Sequence, residues 1–240
     1  TPQAVEQGRR MIEEKRINVS LKEGACDVLH IEVEAATDTD RAVAVISGSH
    51  TNFVFLQRND EVLLDNNRAK DAVSENAADV ELSMRKVWEF AMESPVEELS
   101  FILEARRLNK NVAAESLKAK WGHCLGRIIS RHARNKVFGD TVFTRMVSYT
   151  SAACDARMGG AQMPVMSNSG SGNQGIASTL PVVVYAEETK ASEESLIRAL
   201  VLSHLTVVYI KQSLGRLSAL CGCVVASTGS SCGITYLMGG

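Results

Sequence analysis

The stretch MSNSGSGNQGIASTLPVVVYA (166–186) joins a polar, glycine-rich segment directly to an apolar one. Within it, Gly170, Gly172 and Gly175 spell G-x-G-x-x-G. A flexible Gly/Ser linker usually joins polar flanks. Here MPVM (163–166) precedes the glycines and an apolar run follows them, so we predict a loop that packs against the protein core.

A dinucleotide-binding turn is the first interpretation to consider. That motif follows a strand, opens a helix and has an acidic residue about 20 positions further on. Glu187 and Glu188 lie at about that distance. However, Pro164 and two glycines stand where the strand is required, and Pro181 interrupts the segment that follows. The motif alone is weak evidence, and this context argues against a dinucleotide.

The same loop has the chemistry of an anion site. Successive glycines allow backbone N–H groups to converge on one anion, and a packed loop must satisfy those groups. We predict that the loop binds the carboxylate of an amino acid; a tight turn between packed helices, without a ligand, is the alternative. The candidate binding residues are Ser167, Asn168, Ser169, Gly170, Ser171, Gly172, Asn173, Gln174 and Gly175.

Two charged residues upstream extend the candidate site. Asp155 and Arg157 are two positions apart, so on a helix they point in different directions. A helix that ends at Met158-Gly159-Gly160 would free both side chains, and Arg157 could bind a carboxylate through two parallel hydrogen bonds. The alternative is a structural ion pair at a helix end.

Hydrophobic periodicity divides the chain into two regions, which predicts an α+β fold. Residues 1–66 are expected to form a small α/β unit with an antiparallel sheet, and residues 67–240 a mostly helical region that carries the glycine-rich loop. The runs predicted as a helix or strands in the first region are 3–15, INVSLKE (17–23), DVLHIEVEA (27–35) and AVAVISGSHTNFVFLQ (42–57), with a turn at 37–40.

Capping residues and breaks predict the helices of the second region. Ser94 and Glu97 resemble a capping box around Pro95. NKN (109–111) is expected to break that helix, and a further helix is expected over 142–156. Ser192 is predicted to cap the last long helix, and RLSALCGCVVAS (216–227) to continue as a buried one.

Composition excludes several classes of protein. The 240 residues carry a net charge of −2 without a Lys/Arg cluster, so neither nucleic acid nor an anionic membrane is an expected partner. No apolar run approaches the roughly 20 residues of a membrane span. Six cysteines are unevenly spread and no secretory signal is recognised, which favours the cytoplasm. The chain begins without Met, and we expect it to be the middle of a longer protein.

One long stretch resembles a known family. TSAACDARMGGAQMPVMSNSGSGNQGIASTLPVVVYAEE (150–188) is very similar to the central signature of the L-cysteine desulfidase family, iron–sulfur lyases related to the alpha chain of bacterial iron–sulfur L-serine dehydratases. Shorter matches occur in the family's order, at GSHTNFV (48–54), LKAKWG (117–122), ALVLSHL (199–205) and RLSALC (216–221).

The resemblance implies a helical catalytic region, a [4Fe–4S] cluster and β-elimination from a small L-amino acid; a homodimer is a further expectation. Three cysteines hold the cluster in such enzymes, and only Cys221 matches a ligand position here, so this chain has an incomplete ligand set. The resemblance also makes His50 a candidate substrate-binding residue or general base, with Asn52 as its companion, and Asp155 and Arg157 catalytic candidates.

Ordinary structural roles remain open for several of these residues. His50 has the alternative of a hydrogen bond to its own loop. His204, among apolar neighbours, is expected to be a core histidine rather than a base. Cys221 and Cys223 would diverge by about 200° on a continuous helix, so Cys223 and Cys232 are expected to pack as small apolar side chains.

Overall fold

The structure is a computed structural model, and the description covers residues 2–27, 29–48, 52–66, 80–131, 139–214 and 221–240. The chain divides into two units, Thr1–Asp79 and Val80–Gly240. Residues 67–79, next to the predicted boundary at 66, lie outside the description. The predicted α+β fold is confirmed, with one antiparallel sheet in the first unit and helices in the second.

The first unit contains a helix and a four-stranded meander. The elements are α1 (Pro2–Glu13), β1 (His30–Ala36), β2 (Arg41–Ser47), β3 (Phe53–Arg58) and β4 (Glu61–Asp65). Neighbours along the chain pair antiparallel in the order β1-β2-β3-β4. Ala44 lies opposite Val33 on one side and Leu56 on the other, so β2 is an inner strand. The predicted turn is confirmed, since Thr37 N–H donates to the Asp40 carbonyl over 2.7 Å.

Two strand predictions need correction. Residues 17–23, predicted as a strand, contain no strand, whereas 61–65 form β4, which the sequence reading omitted. Val19 and Leu21 are 88% and 94% exposed, so the apolar residues of the first segment do not line a buried sheet face. Residue composition alone could not distinguish this exposed segment from a strand.

The second unit is helical throughout its described part. Its elements are α2 (Met84–Glu93), α3 (Val96–Leu99), a 3₁₀ turn (Ser100–Ile102), α4 (Leu103–Lys118), α5 (Leu125–Arg131), α6 (Val142–Met158), α7 (Gly172–Thr189), α8 (Glu193–Leu214) and α9 (Gly222–Leu237). The predicted cap of α8 is confirmed, because the Ser192 hydroxyl accepts from Ser195 N–H over 3.1 Å.

Helix α7 links the two buried clusters of this unit. Its first half contributes Ile176 and Leu180 to a cluster with residues of α4 and α6. Its second half contributes Val182 and Val183 to a cluster with α2 and α8. The side chains of α7 are buried along most of its length, so its start is held rigidly among neighbouring helices. The glycine-rich loop leads into this start.

Local helix signals were wrong at three positions. Pro95, not Ser94, is the N-cap of α3, and no side-chain capping bond forms there. Residues 109–111 lie inside α4, and α7 runs through Pro181. Burial of a complete helix face outweighs the roughly 3 kcal/mol that an interior proline costs.

The predicted buried helix over 216–227 is also only partly right. Residues 216–220 lie outside the description, and α9 begins at Gly222. Cys223 and Val224 are exposed, while Val225 and Ala226 are buried. One side of α9 therefore faces away from the core of this unit.

Candidate functional site

The glycine-rich segment forms a two-residue hairpin loop at the start of α7. Asn168 and Ser171 exchange both backbone hydrogen bonds, at 3.1 and 3.0 Å. Between them Ser169 and Gly170 have φ values of 47° and 81°. Positive φ at both central residues is the geometry of a type I′ turn, which favours glycine and tolerates serine only with strain. Strained residues held in place by their surroundings are frequent at binding sites.

The other two glycines lie at close approaches, and at Gly175 the approaching atoms belong to the backbone, which excludes a side chain. A side chain at Gly172 would lie 2.2 Å from Arg157 Nε, and one at Gly175 would lie 2.1 Å from the Met166 carbonyl oxygen. The first glycine lets an arginine lie across the start of α7, and the second lets the hairpin cross its first turn. The G-x-G-x-x-G spacing thus follows from local packing. No strand precedes it among the described residues 139–167, as a dinucleotide site would require.

Asn109 holds the base of the hairpin. It is fully buried in α4, and its Oδ1 accepts from Met166 N–H over 2.9 Å. Its Nδ2 lies within hydrogen-bond distance of the Met166 and Gly175 carbonyl oxygens and of Thr179 Oγ1, at 3.4, 3.3 and 3.1 Å. A single amide side chain therefore joins the segment before the hairpin to the first turns of α7.

His204 supports the hairpin from α8. Asn168 Nδ2 lies 3.1 Å from His204 Nδ1 and 3.1 Å from the His204 carbonyl oxygen, and Thr179 Oγ1 lies 3.0 Å from His204 Nε2. The amide nitrogen can only donate, so Nδ1 accepts and the proton is on Nε2. Burial lowers the pKa of His204 to about 4, so the ring is neutral at pH 7. The expectation of a core histidine is confirmed.

Two sources of positive potential lie beside the hairpin, the Arg157 guanidinium and the N-terminus of α7. Arg157 lies in the last turn of α6, and its Nη1 donates to Asn173 Oδ1 over 3.1 Å. The N–H groups of Gly172 and Asn173 have no partner within α7, and its first turn has no acidic residue. A guanidinium and a helix N-terminus therefore lie together, an arrangement that favours an anion.

Asp155 and Arg157 do not pair with each other. The buried Asp155 carboxylate accepts from the N–H of Gly126, in the first turn of α5, over 3.0 Å, while Arg157 is exposed. Among the described residues the predicted alternative of an ion pair is therefore absent. Asp155 acts as a structural acceptor at the start of α5. Arg157 keeps most of its five donors for other partners.

Three cysteines, Cys154, Cys221 and Cys223, lie near one another, and Cys154 lies near Arg157. Burial raises the pKa of Cys154 to about 11, with smaller contributions from neighbouring Cys223 and Asp155, which raise it, and Arg157, which lowers it. The Cys223 pKa is raised by the surrounding protein atoms and by its contact with the Cys221 thiol. Cys221 precedes α9 with an extended backbone, so the predicted divergence of Cys221 and Cys223 on a continuous helix is wrong.

The start of α9 packs directly against the loop. A side chain added at Gly222 would lie 3.1 Å from Gln174 Oε1, and Gln174 Nε2 donates to the Asn168 carbonyl over 3.2 Å. Cys221 is the N-cap of α9 and is exposed. The thiol-bearing start of α9 therefore contacts the first turn of α7, and Gln174 connects it to the hairpin.

The thiol of Cys221 fits iron chemically, since thiolates are the usual ligands of iron–sulfur clusters. Within the described ranges, however, no group of three His, Cys, Asp or Glu residues could hold a metal ion. Among the described residues, Cys221 could therefore serve as one cluster ligand, and a complete ligand set is absent.

Two candidate residues belong to the first unit. His50 lies outside the described residues. Asn52 is exposed between β2 and β3, and its Nδ2 donates to the Ser47 carbonyl over 2.9 Å. Asn52 thus has a local role in its own hairpin, and its part in substrate binding stays a prediction.

Sequence reasoning missed the buried residues that position the loop. Asn109 looked like a helix break, Thr179 carried no motif, and Gln174 was expected only as a binding residue. Thr179 is a polar side chain beside an apolar run, and buried polar groups require partners, so its role left a signal in the sequence. Asn109 and Gln174 lie among polar residues, so the sequence gives no comparable signal for their burial.

Comparisons with known proteins identify the family of this chain. The profile of the family described as "Serine dehydratase alpha chain" matches residues 13–240. The chain belongs to this family. The resemblance found in the sequence is confirmed at this level, and the narrower link to L-cysteine desulfidases stays a proposal.

Curated relatives extend well beyond the matched region. A UPF0597 protein of Bacteroides fragilis is 59% identical over 240 residues, which is 100% of this chain and 56% of the relative. UPF0597 proteins of Oleidesulfovibrio alaskensis and Vibrio parahaemolyticus are 44% and 39% identical, and the match again covers 56% of each. The chain thus spans little more than half of their length. No solved structure is significantly similar.

The helices of the described ranges lack the features of a membrane span. None of them combines the length and apolar character that a membrane span needs.

All six cysteines are free thiols.

Proposed function

We propose that this chain carries the substrate-carboxylate site of an iron–sulfur-dependent lyase that performs β-elimination on a small L-amino acid. With L-cysteine the products are pyruvate, ammonia and sulfide; with L-serine, water leaves instead of sulfide. Membership of the serine dehydratase alpha chain family supports a lyase. The resemblance stated above suggests these two amino acids and does not choose between them. Free thiols throughout are in keeping with a reducing cytoplasm.

The observation that carries the proposal is the contact between the start of α9 and the hairpin. Gly222 packs on Gln174, and Gln174 holds the Asn168 carbonyl. A substrate carboxylate held at Gly170, Gly172 and Arg157 would therefore lie near Cys221. An amino acid spans only a few ångströms from carboxylate to β-substituent, so the two ends require neighbouring sites of this kind.

The residues of this chain would bind and orient the substrate and neutralise its carboxylate. Arg157 and the N-terminus of α7 would neutralise the carboxylate. Cys221 would provide one ligand of a [4Fe–4S] cluster, whose other ligands would come from outside this chain. When bound, such a cluster would supply a Lewis acid for the departing sulfide or hydroxide. His50 stays the proposed base for the α-proton, because imidazole titrates near neutrality.

Pyruvate release tests this proposal. The natural gene product that carries these residues would be reconstituted anaerobically with iron and sulfide and supplied with L-cysteine or L-serine. We expect turnover of at least one amino acid. Arg157→Ala should raise KM about 30-fold, since a hydrogen bond to a charged group contributes about 2 kcal/mol. Arg145→Ala is the matched control, because Arg145 lies in the same helix and pairs with Asp140 and Glu188.

Two outcomes would contradict the assignment: an inactive parent, or an Arg157→Ala variant that behaves like Arg145→Ala. The second candidate function is amino-acid or anion binding without catalysis. It is favoured by the position of Arg157 beside the start of α7, an arrangement that can bind an anion without a cluster. Iron and sulfide analysis separates the two, since a colourless reconstituted protein that still binds L-serine would support binding alone.

A further inference from the structure

We propose that His204 is a positioning residue for the substrate-carboxylate hairpin, and that it acts through its Nδ1 hydrogen bond to Asn168. This inference rests on the proposed function, because it takes the hairpin to be the carboxylate site. The ring itself is only 8% exposed and lies behind the loop, so His204 does not reach the substrate.

The first step of the argument is the direction of the hydrogen bonds. Thr179 Oγ1 donates its single proton to the Gly175 carbonyl over 2.7 Å, so it must accept from His204 Nε2. The imidazole therefore presents a donor to α7 and an acceptor to the hairpin. Neither ring nitrogen is left to exchange a proton with a substrate, which excludes a role as base in this state.

The second step is the path from the ring to the hairpin tip. Asn168 Nδ2 is held by both Nδ1 and the backbone carbonyl of His204. Its Oδ1 accepts from the Ser169 hydroxyl over 2.8 Å. Ser169 has the positive φ of 47° that needs support from its surroundings. The Nδ1 hydrogen bond thus holds the Asn168 side chain, and Asn168 in turn holds the strained Ser169 at the tip of the hairpin.

The third step separates the two ends of the ring. The Nε2 bond reaches Thr179, which lies two turns inside α7 and is fully buried. That end secures the packing of α8 on α7. Only the Nδ1 end meets the hairpin. Loss of either bond should cost similar stability, whereas only loss of the Nδ1 bond should disturb carboxylate binding.

Two substitutions isolate the two ends. In His204→Asn the amide oxygen stands at the position of Nδ1 and can still accept from Asn168, but the Nε2 donor is lost. In His204→Gln the amide nitrogen reaches the position of Nε2 and can still donate to Thr179, but the acceptor is lost. The two variants thus remove one hydrogen bond each from the same buried side chain.

The experiment measures KM and kcat of the reconstituted natural gene product, with its urea midpoint as a check of folding. We expect His204→Gln to raise KM for L-cysteine or L-serine about tenfold with kcat within twofold, because the hairpin binds ground state and transition state alike. His204→Asn should keep KM within about twofold. Equal KM values for the two variants would overturn the inference.

A substitution at Asn168 removes the same hydrogen bond from its other end, and it tests the inference even if a His204 variant does not fold. Asn168→Ala removes this bond together with those to the His204 carbonyl and to the Ser169 hydroxyl, so it should raise KM at least as much as His204→Gln. The double variant with His204→Gln should be no worse than Asn168→Ala alone, since the Nδ1 bond is already absent there. Additive effects would overturn the inference.

Binding distinguishes this inference from the proposed function. Calorimetric titration with L-serine needs no turnover. A parent that binds L-serine without releasing pyruvate would refute the lyase and still test His204, through the Kd of the same variants. A parent that binds neither amino acid would refute both.

Discussion

Acid should destabilise the helical unit through His204. Burial lowers the pKa of this residue to about 4, from an ordinary value near 6.5. In the unfolded chain the ring takes up a proton as the pH falls through 6.5, while the folded protein resists until about pH 4. The unfolded state thus binds more protons in this window, and stability falls with pH. Above pH 6.5 the contribution is fully present.

The magnitude follows from the two pKa values. Each pKa unit corresponds to about 1.4 kcal/mol, so the loss relative to pH 7 is about 2 kcal/mol at pH 5 and about 3 kcal/mol at pH 4. Urea unfolding of the 240-residue chain at pH 7, 5 and 4 measures it. Trp88 and Trp121 are the only tryptophans, and both lie in the helical unit, so their fluorescence reports on this unit.

The comparison of variants isolates this histidine from the carboxylates that also titrate. His204→Gln should be less stable at pH 7 and lose about 3 kcal/mol less than the parent between pH 7 and pH 4. His123→Gln is the matched control, because His123 is exposed, and it should follow the parent. If the parent and His204→Gln lost stability in parallel, the buried neutral imidazole would be refuted.

Two further substitutions, each with a control, test the support of the hairpin. Gly175→Ala should destabilise the helical unit by about 3 kcal/mol, since its methyl group would lie 2.1 Å from a backbone oxygen. Gly8→Ala, with open space around it, should leave the tryptophan transition unchanged. Asn109→Leu should cost about 3 kcal/mol in urea unfolding because it removes every hydrogen bond of a fully buried side chain and leaves the half-buried Met166 N–H without this partner. Exposed Asn111→Leu should cost less than about 0.5 kcal/mol. Wild-type midpoints for Gly175→Ala or Asn109→Leu would contradict this packing.

Local sequence signals predicted those elements whose stability is local. The Ser192 cap and the strand character of β1 depend mainly on neighbouring residues, and both are confirmed. A buried face on β1 is not, since Ile31 and Val33 are 44% and 57% exposed. The packed nature of the glycine loop was likewise visible from its apolar flanks. These features depend on backbone preference and on the periodicity of one element.

The failures arose where partners are distant in sequence. Asn109 resembled a helix break because its partner, Met166, lies 57 positions away. Pro181 resembled a boundary because the packing that keeps α7 helical comes from four other helices. For the same reason His204 could be predicted as buried, but not as the support of Asn168. The contribution of tertiary packing exceeds local propensity at each of these positions.

The cysteines illustrate a further limit. A spacing of two residues predicts divergent thiols on a continuous helix, and the spacing of Cys221 and Cys223 was read in that way. The helix begins between them, at Gly222, so the rule does not apply. The position of a helix start is among the least certain features of a sequence reading.

The most direct test of the carboxylate site is the amide NMR signal of its glycines. The chain labelled with ¹⁵N would be titrated with L-serine and, separately, with ethanolamine, which has the same amine and hydroxyl but no carboxylate. We predict saturable shifts of the Gly170 and Gly172 amides with L-serine and none with ethanolamine. Equal shifts with both compounds, or none with L-serine, would contradict a carboxylate site at the start of α7.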